Sequence, residues 1–352
     1  EQPINKSHLS SLIVRGSILH GLSSSYYAAG DLSKAEHMCL ETARVTGEIG
    51  YLIRYIPAYN KLAHVYKVTG RLHQSEQILL EQLDQMRLRG MGEHYTIGNL
   101  YCRLADLFYE WNRLEDAQKM LDKCHEYNKE VELPYLLVDH LHVKSRLLMV
   151  QMDFDGAQKC LSRAAQLIQQ YYTWPQLVWE NASYQGRLWL ARGDCKGAVQ
   201  WCNEHPKANH RKPGFAEEST EISRSRIFLN TGELDRALGL LQRLEESAET
   251  GGRQARLIEI LVVKAVVLKE KGNSEEAHGI LMKALDQAIT EEYIRTFVDE
   301  GELVKEMIQG TQGKLHLRKR SKFQGNFDAY LDQLIQAFPP DPISGQSLSH
   351  AV

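Results

Sequence analysis

The sequence holds none of the local patterns that mark a catalytic or nucleotide-handling centre. It has no GxxxxGK followed by Ser or Thr, no HExxH, no GxSxG elbow and no paired Cys/His cluster. Each of these supplies a geometry that its chemistry requires. Isolated nucleophile candidates such as Ser23 and Cys202 stand at positions where packing calls for a small or apolar side chain. The chain is therefore not expected to be an enzyme, and no catalytic, metal or cofactor residue is assigned within it.

Other absences narrow the setting. There is no run of eighteen apolar residues and no signal-peptide pattern, so nothing places the chain across a membrane, and a cytoplasmic protein is expected. A net charge of -3 from 42 basic and 45 acidic residues gives no overall field for nucleic acid or an anionic membrane. The six cysteines lack CxxC spacing and read as reduced, buried thiols. The chain starts without Met, as a piece excised from a longer protein would, and no capping sequence precedes the first helix.

What is present is a repeat. One small residue recurs as Ala35, Ser75, Ala117, Ala157, Ala198, Ala237 and Ala277, at spacings between 39 and 42. A fixed period of that size means stacked supersecondary units. Five residues before each mark stand Gly30, Gly70, Asn112, Met152, Gly193, Gly232 and Gly272. Six of these seven are Gly or Asn, which tolerate the left-handed backbone that ends a helix.

Twelve residues before the mark the column is small (Ser23, Ala63, Ala105, Ser145, Gly186, Ser225, Ala265), and nine before it is large (Tyr26, Tyr66, Phe108, Leu148, Trp189, Phe228, Leu268). A small residue lets the second helix of a pair approach closely, and the large one a turn later fills the space between neighbouring pairs. Each unit is a helical hairpin. The column set resembles the tetratricopeptide repeat (TPR), lengthened to a period near 40. The expected fold is all-α: a right-handed superhelix of about seven such hairpins closed by C-terminal helices.

A solenoid of this kind presents the first helix of each pair on its concave face. Positions fifteen and eleven before each mark give His20 and Ser24, Asn60 and His64, Cys102 and Asp106, His142 and Arg146, Ser183 and Arg187, Ile222 and Arg226, Val262 and Val266. Tyr27 and Tyr109 stand one turn away. His20, Tyr27, Asn60, His64, Asp106, Tyr109, His142, Arg146, Arg187 and Arg226 are the candidate ligand-binding residues. They suit a hydroxyl-rich or anionic small molecule, with Arg146, Arg187 and Arg226 available to clamp an anion.

Residues 203–219 form a long connection with Pro206, Pro213, His205 and His210. The histidines have no carboxylate or thiol partner at ligand spacing, so a solvated loop is expected. The helical-repeat domain is expected over 1–310. A basic linker (Lys314 to Lys322) and a capping helix (Tyr330 to Phe338) follow over 311–340, then a disordered tail over 341–352.

After the seventh hairpin comes Phe297-Val298-Asp299-Glu300-Gly301-Glu302, with Leu303 and Met307 behind it, then the Tyr330 to Phe338 helix running into Pro339-Pro340. With seven pairs near forty residues, this resembles the effector-sensing superhelical domain of MalT-like activators, the large ATP-binding LuxR-type (STAND) regulators. The resemblance implies a cytoplasmic bacterial sensor flanked by a nucleotide-binding switch module, where ATP would bind, and a helix-turn-helix module. It also implies a small-molecule inducer that favours the active arrangement and promotes self-association, with an inhibitory protein as a further partner. It assigns no particular ligand, and it implies no nucleic-acid contact by this part of the chain. A TPR-like scaffold binding a peptide or protein is the alternative.

Overall fold

A computed structural model describes residues 6–128, 134–171, 175–204, 214–315 and 324–339. Among these residues the chain is all helical. Seven hairpins follow one another: α1 (Lys6–Ala29) with α2 (Leu32–Glu48), α3 (Leu52–Val68) with α4 (Leu72–Leu88), α5 (Gly98–Glu110) with α6 (Leu114–Asn128), and α7 (Pro134–Val150) with α8 (Phe154–Tyr171). The series continues with α9 (Pro175–Ala191) and α10 (Cys195–Glu204), α11 (Glu218–Asn230) and α12 (Leu234–Thr250), and α13 (Gln254–Glu270) and α14 (Ser274–Ala288). Then come the short α15 (Arg295–Val298), α16 (Glu302–Leu315) and α17 (Gln324–Ala337). The fold is a TPR-like solenoid.

The sequence columns have direct structural causes. All seven marks are buried, Ala35 and Ala277 completely. In the small column a Cβ on Gly186 would stand 3.3 Å from the Trp201 ring, so the second helix has closed onto the first. Every turn residue is left-handed: five are Gly, Asn112 has φ +55°, and Met152, the one member outside Gly and Asn, has φ +62°. The amide after each turn donates to the carbonyl of the large-column residue, as Arg113 does to Phe108 at 2.8 Å and Asp153 to Leu148 at 2.9 Å. This is the pattern that satisfies the last carbonyls of a helix.

The solenoid closes on itself. Phe215, at the start of the sixth hairpin, packs edge-on to Tyr27 of the first at 5.1 Å. Its side chain also lies against Gly30, where a Cβ would approach to 3.1 Å. Farther along, Trp111 Nε1 donates to the Glu291 carbonyl at 2.9 Å and the Ile294 amide to the Glu110 carbonyl at 3.2 Å. The segment after the last hairpin was expected to close that hairpin. It also crosses to the third, and so the first helices surround a lumen.

Several expectations meet the structure here. The 203–219 connection is shorter than its composition implied, because α10 runs to Glu204 and Ser219 lies within α11. Glu218, at the start of α11, is buried against Arg253 with a bond of 2.9 Å. Five cysteines are buried but Cys195, at the start of α10, is exposed. The boundary expected at 310 falls inside α16. In α17, Tyr330, Leu331 and Leu334 are buried, as is Phe338 just after it, and Tyr330 Oη donates to the Tyr293 carbonyl at 2.5 Å, so the helix covers the segment that follows the last hairpin. His205, His210, most of the basic run and the 341–352 tail lie outside the described residues. No described helix is long and apolar enough to cross a membrane.

Candidate functional site

The lumen has two contiguous chambers. The inner one, about 110 Å³, is walled by α3, α5, α7, α9, α11 and α13 and floored by Tyr293, Thr296, Asp299 and Glu300. The outer one, about 600 Å³, lies between α1, α3, Tyr95 and Thr96, Arg103 of α5, and the first two turns of α7 and α9. His64, Arg103, Asp139 and Glu180 line both.

The inner chamber is packed with paired charge. Asp106 takes Lys67 at 2.5 Å and Arg146 at 2.7 Å. Burial opposes its charge, yet those two cations hold its carboxyl well below the usual carboxylate range. The Arg146 guanidinium lies 3.9 Å above the Tyr109 ring. Tyr109 Oη donates to Asp299 at 2.9 Å, and Asp299 also takes Arg187 at 3.1 Å and pairs with Arg295. Arg226 bonds Glu300 at 2.5 Å and Glu259 at 2.9 Å. Glu259 is held down to about 2, burial being outweighed by Arg226, Arg256 and Arg187.

The ten candidate residues divide between these chambers. His20, Tyr27, Asn60 and His64 line the outer one. His64, Asp106, His142, Arg146, Arg187 and Arg226 line the inner one, with Tyr109 packed behind Arg146. The three arginines are not free to clamp an incoming anion as the sequence implied. The chain supplies their carboxylates itself, from Asp106 for Arg146 and from the Asp299-Glu300 pair for Arg187 and Arg226. Cys102, Ile222, Val262 and Val266, also expected on the concave face, are buried in the apolar core instead.

A third lining column was missed. Eighteen residues before each mark stand Ser17, Pro57, Asn99, Asp139, Glu180, Ser219 and Glu259, of which all but Asn99 line a chamber. This column is one heptad before the position at minus eleven, so continuing the helical period would have found it.

The histidines here are neutral. Burial, with Lys61 and Arg54 nearby, lowers His20 to about 3, and burial lowers His142 to about 4. Asp139, His142 and Glu180 each bring a ligand atom within 4.8 Å of the others, the geometry of a metal triad. However, Arg103 already bonds Asp139 at 2.6 Å, and its guanidinium occupies the cationic role there.

Closed hairpin geometry around a charged lumen defines the class of protein: a TPR-like helical-repeat module. The family described as the MalT-like TPR region matches residues 2–311, and the chain belongs to that family. It is 22% identical over 322 residues to the HTH-type transcriptional regulator MalT of Klebsiella pneumoniae, covering 80% of this chain and 35% of that protein. It is 23% identical over 306 residues to the regulator of the same name from Vibrio campbellii, covering 79% and 32%. The chain thus spans about a third of the length of these curated relatives. A solved structure from Pyrococcus horikoshii, a signal transduction ATPase with numerous domains and a tetratricopeptide repeat sensor, is 14% identical with a TM-score of 0.46, covering 95% of this chain and 55% of that one.

Proposed function

We propose that this chain is the effector-sensing region of a bacterial, MalT-like, ATP-dependent transcriptional activator, and that a small-molecule inducer binds in the outer chamber of the lumen. Membership of the MalT-like TPR family supports the first part. The observation that carries the second is the 600 Å³ chamber itself, in which polar groups from five hairpins converge beside tyrosine rings. That volume lies within the roughly 300–1,000 Å³ range of small-molecule sites.

An inducer bound there touches both the first hairpin and the fourth and fifth, so its affinity depends on how the solenoid is wound. It favours whichever winding fits it, and by linkage that winding favours it. The nucleotide-binding and DNA-binding modules of the longer polypeptide, with self-association on activation, are the proposed readers of that change. The peptide-scaffold alternative needs an open concave groove, and the crossing from Glu291 to Glu300 takes up much of that face.

The test is a thermal-shift screen of the chain against sugars, aromatic acids, amino acids and short peptides, with calorimetry on any hit. A ligand at a hundredfold over its Kd adds about 2.7 kcal/mol. A saturable small-molecule hit that His64→Ala or Asn60→Ala weakens supports the reading. Binding of peptides alone favours the scaffold.

A further inference from the structure

We infer that the outer chamber takes a zwitterionic small molecule of the amino-acid type, its anionic group held by Arg54 and Lys61 and its ammonium by Glu180. This rests on the reading that the chamber is the effector site, and narrows the class of ligand.

The chamber is electrically two-ended. Arg54 and Lys61 stand one heptad apart on α3 and both line it, with His20 facing them from α1. Because His20 stays neutral, it adds no third charge at ordinary pH. Arg54 makes no ion pair among the described residues, and its Nε is buried with no hydrogen-bond partner. Lys61 donates to Ser24 Oγ, an uncharged acceptor.

At the other end is Glu180 of α9, which among the described residues takes part in no hydrogen bond and no ion pair. Burial pushes its carboxyl above the usual range. Asp139 beside it is different, being taken by Arg103. In the inner chamber Asp106, Glu259, Asp299 and Glu300 all have cationic partners.

A charged group drawn out of water without a partner is costly. A guanidinium and a carboxyl that face one volume, neither held in an ion pair among the described residues, with Arg256 and Arg103 acting on the carboxyl only from beyond contact distance, lack close complementary charges that a single ligand can bring. A simple anion would leave Glu180 unmatched, a simple amine would leave Arg54 unmatched, and a neutral sugar would offer both only dipoles. Between the two ends, Tyr27, Tyr135, Ile53, Pro57 and Leu177 provide apolar and aromatic wall for the body of the ligand.

The experiment is calorimetry on the 352-residue chain with phenylalanine, tryptophan and leucine, each against its N-acetyl and its carboxamide form, with maltotriose as the neutral probe. At least one free amino acid is expected to bind, with each blocked form weaker by about tenfold or more. Glu180→Gln is expected to abolish the penalty for acetylation alone, and Arg54→Met the penalty for the carboxamide alone, which a general folding defect would not do. A blocked form or maltotriose binding as tightly as the free amino acid overturns the ligand class but leaves the chamber as an effector site. Silence across all probes overturns the ligand class and also counts against the chamber.

Discussion

In the inner chamber Arg146, Arg187, Arg226 and Arg295 each meet a carboxylate of the same chain, whereas in the outer chamber Arg54 and Glu180 meet none among the described residues. Both chambers are walled by the same face of the same kind of helix. The difference lies in what comes back to fill them. The 293–300 segment returns across the third hairpin and inserts Asp299 and Glu300 into the inner chamber, and no described segment returns to the outer one. A lumen-facing charge here is therefore structural or receptive according to whether the chain supplies its counter-charge.

The largest effect should come from removing that returning charge. Asp299→Ala takes a common acceptor from Arg187, Arg295 and Tyr109, all inside the lumen. Leaving a buried ion without its partner costs about 3–5 kcal/mol, readable as a lower urea midpoint. Glu180→Ala, which lines the outer chamber, breaks no hydrogen bond or ion pair with any described residue and should cost less than about 1 kcal/mol. Equal costs at the two positions would break the comparison.

The hairpins were legible in the sequence because their signals are local. The small column, the large column and the turn column repeat within 40 residues, and even Met152, which has the wrong side chain for its place, takes the left-handed turn that its register demands. The closure of the ring was not legible. Asp299 meets Tyr109 across a sequence separation of 190 residues, and nothing around Asp299 says which hairpin it will face. The same blind spot made Arg187 and Arg226 look available, since Asp299 and Glu300 belong to that crossing. Cys102, Ile222 and Val262 at minus fifteen, with Val266 at minus eleven, failed for a different reason: these positions border both lumen and core, and there an apolar side chain turns to the core. Asp139, Glu180 and Glu259 needed only one more heptad of the same periodicity.

Packing should matter in both chambers, at a lower cost than the ionic lock. Ala265 is completely buried on α13, the helix that completes the inner wall. Ala265→Leu forces that hairpin open and should destabilise by about 1–3 kcal/mol, measured by thermal unfolding. Because the displaced hairpin also carries Glu259, the variant should lose part of the Asp299→Ala effect when the two are combined. Strict additivity would mean that packing and the charge lock act independently.

At the turn of the fourth hairpin, away from both chambers, Met152 is 70% exposed and held at φ +62°. A side chain in that conformation costs roughly 1 kcal/mol relative to glycine. Met152→Gly should raise the urea midpoint by a corresponding amount and leave ligand binding unchanged, since no wall residue moves. Reduced stability would mean that the methionine side chain makes a contact worth more than the backbone strain.

The smallest change in stability is expected at Lys61, where its pH dependence tells more than its size. Burial lowers this ammonium from its ordinary value of 10.5 to about 8. Between those two values the unfolded chain binds the proton and the folded chain does not, so folding stability rises with pH from about 8 towards 10.5 and is reduced below that window. His20, lowered to about 3, gives a separate rise between 3 and its ordinary 6.5. Lys61→Met keeps the length of the side chain and removes the charge. At pH 7 it should be as stable as the parent or slightly more so, and it should flatten the alkaline rise while leaving the acid one. Stabilisation of the parent by a carboxylate-bearing ligand should then weaken as pH climbs through the same alkaline window, because the ligand needs the charged amine. A parent whose stability falls between pH 8 and 10 would show that Lys61 is already matched by a carboxylate, making the outer chamber electrically like the inner one.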